Sequence, residues 1–387
     1  MKNFDFHVPT KILFGKNAIL QLKDEMKNHH NILLVYGGGS IKKSGLYDEV
    51  YKLLNDKNII ELSGVEPNPR VTSVNEGARL CKKYNVDAIL AVGGGSVLDC
   101  SKVIAGASKL DCDAWDIVKR KVAVKECLPI YTILTLSATG SEMNGGAVIS
   151  NLNTKEKIGV GSELFIPTCS VLDPTYTMSV SKYQTAAGTC DIFSHIIEVY
   201  FDNRLDAFVS DKIAEGLLKT VIKYGEIAYH EPNNYEARAN LMWTSSLAIN
   251  SLIECGKENN AWSCHPMEHS LSAYYDITHG VGLAILTPRW MEYILDESTI
   301  DRFVAYGRNV FDINDDDKWV VAKKAIEETK NFFYKRLNVA SSLKEVNIDE
   351  TYFLEMATKA CNKDGVINGF KKLTIQDVVN IYKNCLE

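Results

Sequence analysis

Three histidines fall within one short stretch, Trp262-Ser-Cys-His265-Pro-Met-Glu-His269-Ser-Leu-Ser-Ala-Tyr-Tyr-Asp-Ile-Thr-His279-Gly280. Upstream, Asp191 and His195 stand at the i, i+4 spacing of one helical turn. Imidazole and carboxylate are the side chains that hold a catalytic divalent ion. The chain has only 8 histidines, and half of them lie in these two segments. Residues four apart on a helix face one point, so Asp191 and His195 form one donor pair. His265 and His269 repeat the spacing, and His279 is expected to close the helix and loop that follow. The set this offers is one carboxylate and three neutral imidazoles. A catalytic site keeps one position open for substrate, and donor softness suits Fe(II) or Zn(II) without choosing between them. Cys264 is set aside, because neighbouring side chains on a helix diverge by about 100°.

Glycine-rich turns form the second group. Gly93-Gly94-Gly95-Ser96 follows the apolar run Ala88–Val92 and precedes a helical pattern from Val97 to Asp99 and beyond. Such a turn permits positive φ and close approach of a ligand to the backbone, and the next helix directs free N–H groups at it. A pyrophosphate suits that place. The earlier turn, Gly37-Gly38-Gly39-Ser40, follows Asn31–Tyr36 and precedes Lys42 and Lys43. A dinucleotide site reserved for NAD(H) places a carboxylate near the ribose 2′-OH. This turn has none and offers N–H groups, a hydroxyl and two cations, so NADP(H) is expected over NAD(H). The hydroxyl-dense run Thr135-Leu-Ser-Ala-Thr139-Gly-Ser-Glu-Met-Asn144 follows the strand pattern 129–134 and suits a ribose or a nicotinamide amide. A divalent ion together with a nicotinamide predicts hydride transfer, the ion polarising a carbonyl as a Lewis acid.

The elements that must position these groups change in texture along the chain. Up to about residue 180, short apolar runs alternate with helical patterns, which implies a mostly parallel sheet covered by helices. Beyond it, amphipathic segments at 205–226, 235–256, 318–335, 350–361 and 374–385 follow one another, and the half reads as all-helical. Proline and Ser/Thr punctuation at Asp173-Pro174 marks the boundary, giving expected domains of 1–180 (α/β, dinucleotide-binding) and 181–387 (all-α, metal and substrate). With 387 residues, two domains are the default. A net charge of -6 argues against nucleic-acid or anionic-membrane partners. No apolar run reaches the ~18 residues of a membrane span, and the N-terminus has no signal core, so a cytoplasmic protein with reduced cysteines is expected.

Together these motifs resemble the iron-containing (group III) alcohol dehydrogenases, within them the branch of NADPH-dependent butanol dehydrogenases and broad-range aldehyde reductases. The resemblance runs over nearly the whole chain. It rests on Pro9-Thr-Lys-Ile-Leu-Phe-Gly15, Gly-Gly-Gly-Ser-Val-Leu-Asp99-Cys-Ser-Lys102, Thr139-Gly-Ser-Glu142, Asp173-Pro174, Asp191-x3-His195 and His265-x3-His269-x9-His279-Gly280. It implies a fold like that of dehydroquinate synthase, with Asp191, His195, His265 and His279 as metal ligands. His269 would stay unligated as a polar or proton-relay group near nicotinamide and substrate. It also implies that Gly94, Gly95 and Ser96 hold the pyrophosphate, that Thr135, Thr139, Asn144 and Lys157 contact the dinucleotide, that Asp99 lines the cofactor site, and that the protein is a homodimer. The expected substrates are short-to-medium primary alcohols and aldehydes. An NAD-dependent glycerol or 1,3-propanediol dehydrogenase and a dehydroquinate synthase-like lyase are the competing readings. The first is disfavoured by the carboxylate-free turn, the second by the lack of a Lys/Arg cluster near the histidines.

Overall fold

The structure, a computed structural model, describes residues 1–258 and 262–387. It divides into two compact units. One comprises residues 7–180 with 232–246; the other comprises 1–6, 181–231 and 247–387.

The first unit is built on six strands: β1 (Lys11–Phe14), β2 (Asn31–Tyr36), β3 (Asn58–Leu62), β4 (Ala88–Gly93), β5 (Ile130–Leu134) and β8 (Cys169–Leu172). They pair in the order β1-β8-β5-β4-β2-β3, every pair parallel. Between β5 and β8 an antiparallel hairpin of β6 (Gly146–Asn151) and β7 (Glu156–Gly161) stands apart from the main sheet. Strands β2 and β4 are apolar at almost every position because both faces are covered. Leu33, Val35, Ile89 and Ala91 pack into one core, and Ile32, Leu34, Leu90 and Val92 into the other. The helices on this unit include α1 (Leu46–Leu53), α2 (Val71–Lys83) and α3 (Gly95–Ala107). In a parallel sheet all strands end on the same side. The turns after β2, β4 and β5, which are consecutive neighbours, therefore leave from one edge, the edge where open α/β sheets bind ligands.

The second unit contains α4 (Lys182–Tyr200), α5 (Phe208–His230), α7 (Cys264–Tyr275), α8 (His279–Ile294), α9 (Ile300–Phe311), α10 (Lys318–Lys330), α11 (Phe353–Ala360) and α12 (Ile375–Asn384). The intervening helix α6 (Tyr235–Ala248) contributes to the sheet-bearing unit instead. Met242 enters its core, Trp243 packs edge-on against Phe14 of β1, and the Ser246 hydroxyl donates to Glu142. A single cut at residue 180 therefore does not describe the chain.

Three local expectations need correction. The second half is not wholly helical, since β9 (Val366–Asn368) and β10 (Lys372–Thr374) form an antiparallel hairpin. The helix after the second glycine turn begins at Gly95, two residues before the expected start. His279 does not close a loop but is the first residue of α8.

Candidate active site

Helix α4 carries the first two donors. Ser181 caps it by accepting from the Gln184 N–H (3.2 Å), and the helix is buried from Thr185 to Tyr200. Asp191 and His195 are only 3% and 4% exposed, so their polar atoms need partners other than bulk water. The Nε2 atoms of His195, His265 and His279 lie 3.5, 3.8 and 3.6 Å from the same Asp191 Oδ1. These separations are too long for good hydrogen bonds. They do match the roughly 3.4 Å between donors of a tetrahedral ion with ~2.1 Å bonds. Among the described residues, Asp191 Oδ1 and His265 Nε2 are buried without a hydrogen-bond partner. Orphaned acceptors gathered on one point are what a cation would satisfy, so the residues fit a divalent ion.

Two further carboxylates, which the sequence reading passed over, orient the rings. Glu198 lies one turn beyond His195 on α4, and its carboxylate caps α7 from outside. It accepts from the N–H groups of Ser263 (2.6 Å), Cys264 (2.7 Å) and His265 (3.2 Å), and from His265 Nδ1. Ser263 itself supplies no side-chain cap. Fully buried Glu268 likewise accepts from His279 Nδ1 and from the Ser272 hydroxyl. A carboxylate can only accept here, so Nδ1 of each ring carries the hydrogen and Nε2 presents its lone pair towards Asp191. The only sequence signals were Glu198 three residues after His195 and Glu268 three residues after His265, each in an apolar helical context.

In the site without an ion the surrounding carboxylates favour a protonated His265, and a divalent ion would take the place of the proton on its Nε2. Burial resists ionisation of Asp191, but the imidazoles of His195, His279 and His265 outweigh it and hold its pKa well below the usual carboxylate range. Burial pulls His195 down to about 4, against the opposing Asp191. Burial also acts downward on His265, but Glu198 and Asp191 overcome it and raise the ring to about 9.

His269 sits beside the four donors, its ring centroid 5.6 Å from His279 and 6.2 Å from His265. The Trp262 ring meets His265 edge-on at 4.5 Å and lies 5.5 Å from His195, an apolar wall against two of the rings. Gly280 explains the His279-Gly280 pair. A Cβ there would fall 1.9 Å from the Ala187 carbonyl oxygen, so only glycine lets α8 approach α4 closely enough to bring His279 to Asp191.

In the sheet-bearing unit the turns that leave the strand-end edge carry Gly37–Ser40 after β2, Gly94–Ser96 after β4 and Thr135–Thr139 after β5. Gly37–Ser40 links β2 to a one-turn helix, and only Gly39 requires the left-handed region, with φ +103°. A Cβ at Gly38 or Gly39 would touch nothing within 4 Å. At Gly93–Gly95 no φ is left-handed, contrary to the sequence reading. The requirement there is space, since a Cβ on Gly93 would strike Val97 (2.6 Å) and one on Gly95 would strike Thr139 Oγ1 (2.3 Å). Gly94, Gly95 and Ser96 open α3, and Thr135 is tied to β4 through its N–H to the Gly93 carbonyl (3.0 Å). Lys157 lies on β7 opposite Ser150.

Asp99 and Asn144 are engaged within the scaffold. Asp99 accepts from the Ser141 hydroxyl (2.6 Å) and the Val148 N–H (2.8 Å). Asn144 accepts from Lys102 Nζ (3.1 Å) and the Gly146 N–H (2.8 Å), and donates to the Gly140 carbonyl (2.9 Å). Lys102 also donates to the Gly146 carbonyl (2.7 Å). Two charged residues one turn apart on α3 thus clamp the 139–148 segment. Burial pushes the Asp99 and Glu142 carboxyls up and the Lys102 ammonium down to about 8, and each is partly offset by its oppositely charged neighbours.

Two outcomes follow from this geometry. Glu198→Gln keeps the shape but turns an NH2 group towards the N–H groups that Glu198 accepts from. Zn(II) or Fe(II) affinity measured by chelator competition should fall about 10-fold to 100-fold, and an unchanged affinity would refute the role given to Glu198. Lys102→Met removes the counter-charge of buried Asp99 and should destabilise the fold by about 3 kcal/mol or more. It should also weaken nicotinamide-nucleotide binding while leaving metal content intact; loss of metal instead would show that the clamp is misassigned.

Residues 9–174 match the family Iron-containing alcohol dehydrogenase, and residues 185–386 match Fe-containing alcohol dehydrogenase family, C-terminal. The chain is 53% identical to NADH-dependent butanol dehydrogenase A of Clostridium acetobutylicum, with 99% of each chain covered. It is 39% identical to the NADPH-dependent aldehyde reductase YqhD of Escherichia coli over 90% of each. The crystal structure of NADH-dependent butanol dehydrogenase A from Thermotoga maritima superimposes with a TM-score of 0.95 at 40% identity, covering 100% of this chain and 99% of that one. A buried carboxylate ringed by three imidazoles, a parallel sheet with glycine turns at one edge, and matches spanning both halves lead to one conclusion: the chain belongs to the iron-containing alcohol dehydrogenase family.

Proposed function

We propose that this alcohol dehydrogenase works as an NADP(H)-dependent aldehyde reductase on short-to-medium apolar aldehydes of the butanal type, and on the matching primary alcohols in reverse. The observation that carries the reading is the meeting of three imidazole Nε2 atoms on one orphaned carboxylate oxygen, Asp191 Oδ1. Asp191, His195, His265 and His279 would hold one divalent ion, Fe(II) or Zn(II). That ion would supply Lewis acidity towards the substrate oxygen.

The remaining work falls to the protein. Glu198 and Glu268 keep the Nδ1 hydrogens in place, so that Nε2 of His265 and His279 is the atom aimed at Asp191. Trp262 gives the site an apolar side, which suits an alkyl chain better than a polyol. Reduction moves a hydride to the carbonyl carbon and needs a proton on its oxygen. His269, next to His279 and outside the ligand set, is the group to relay that proton. Gly37–Ser40 would meet the adenosine 2′-phosphate; Gly94, Gly95 and Ser96 the pyrophosphate; Thr135, Thr139 and Lys157 the rest of the dinucleotide. Asp99 and Asn144 would support that site from within the scaffold.

Support for NADP(H) is the carboxylate-free first turn, open at Gly38 and Gly39; the relatives carry both cofactors in their names. A homodimer is proposed as well, with β1 as the free edge of the sheet. A cytoplasmic location suits ten unpaired cysteines.

Initial rates with butanal and NADPH or NADH at equal concentration decide the cofactor. NADPH is expected to be preferred, and a clear NADH preference would overturn that choice. Removing the ion with a chelator should abolish turnover, and adding Fe(II) or Zn(II) should restore it. His269→Ala should keep its metal, measured by elemental analysis, and lose about 10²-fold in kcat; a metal-free variant would move His269 into the ligand set. Gly38→Asp is accommodated sterically and should raise KM for NADPH far more than for NADH. Equal effects would mean that the turn does not meet the 2′-phosphate.

A further inference from the structure

A compact polar cluster stands at the β2–β3 side of the sheet, and no step of the proposed reaction uses it. Glu61 projects from the edge strand β3, and three phenols donate to its carboxylate: Tyr36, Tyr51 and, at 2.7 Å, Tyr47. The Lys42 ammonium lies over the same rings, 5.3 Å from the centroid of Tyr36 and 4.5 Å from that of Tyr47. Tyr36 is the last residue of β2, directly before Gly37, and Lys42 belongs to the one-turn helix after Ser40. The segment after β3 is bonded to the same turn, Val65 N–H to the Tyr36 carbonyl and Gly64 N–H to the Gly37 carbonyl, each 3.2 Å. The first glycine turn, its cation and a carboxylate are therefore one connected piece.

This arrangement alters what the turn offers a phosphate. Lys42 is exposed, yet its ammonium rests against the two rings. Its charge faces a nearby opposite charge whose strength depends on how many hydroxyls share it. We propose that Glu61, tempered by its three tyrosines, sets how strongly Lys42 favours a dinucleotide bearing a 2′-phosphate over one without it. Glu61 is a positioning residue and touches no cofactor atom. The proposal rests on the placement of the adenosine ribose at the first turn made above.

The test is fluorescence titration of NADPH and NADH on the full-length, metal-loaded enzyme, read as the ratio of the two affinities. Thermal unfolding of every variant checks the fold. Glu61→Gln removes the negative charge and should raise the NADPH-over-NADH ratio roughly threefold, the scale of one screened surface charge. Tyr51→Phe removes a donor, leaves the carboxylate less shared, and should lower the ratio. Lys42→Gln should lower it further and shrink the gain from Glu61→Gln when the two are combined. A packing role would not give opposite signs. The proposal fails if Glu61→Gln changes both affinities alike or lowers the ratio, or if Tyr51→Phe shifts it in the same direction as Glu61→Gln. Should Glu61→Gln not fold, the sign of Tyr51→Phe against Lys42→Gln decides. If Lys42→Gln and Gly38→Asp both leave the ratio unchanged, the ribose placement itself is wrong. If they move it and Glu61→Gln does not, only the role of Glu61 falls.

Discussion

The helical unit is organised around Asp191, a buried carboxylate whose Oδ1 has no hydrogen-bond partner among the described residues. It lies mid-helix, and two more carboxylates, Glu198 and Glu268, are buried around it. Left alone, such a group of anions would cost several kcal/mol each. The cost is offset by giving each carboxylate a distinct set of partners. Glu198 takes three backbone N–H groups and one imidazole, Glu268 takes an imidazole and a hydroxyl, and the Asp191 Oδ1 faces three imidazole Nε2 atoms, a set that would suit a cation. The same contacts set the order of helices. Glu198 couples the start of α7 to α4, and Gly280 lets α8 press against α4 at Ala187. Metal geometry and helix packing are thus one constraint, which is why the donors come from three helices and not from a loop.

The sheet-bearing unit follows the same logic with opposite bookkeeping. Two of its buried charges are satisfied internally: Asp99 and Lys102 on α3 hold the 139–148 segment through four hydrogen bonds to Ser141, Val148, Asn144 and Gly146. Rigid support of this kind pre-organises a binding edge, because the groups left facing outward need not be ordered when a ligand arrives. The glycines contribute by absence of volume. Gly95 is required because the Thr139 side chain occupies the place its Cβ would take.

Much of this was legible before any coordinates. The apolar runs ending in glycine marked β2 and β4 because a strand covered on both faces has no polar positions to obscure it. The i, i+4 pair of Asp191 and His195 marked α4 as a donor helix. What escaped notice depended on distant partners. Glu198 and Glu268 read as ordinary helical acids, since only the approach of His265 and His279 gives them a role. Helix α6 carries the same amphipathic signal as its neighbours, and only Met242 and Ser246 reveal that it serves the sheet. The β9–β10 hairpin has three residues per strand, too few for a period-2 pattern to register. The reason for the second glycine turn was misread because clash with Val97 and Thr139 cannot be seen from composition.

The two halves of the chemistry are constrained to different degrees. Holding a divalent ion would demand particular donor atoms at particular distances, with two of the imidazoles oriented by buried carboxylates, so a single substitution would disturb both the site and the packing around it. Under the proposed placement of the ribose, telling NADPH from NADH would demand only a favourable potential at one exposed turn. There Lys42, Glu61 and three phenols interact through solvent-screened contacts, each of modest strength. A shift of about 1.4 kcal/mol in that potential changes the affinity ratio tenfold, without touching any residue of the metal centre.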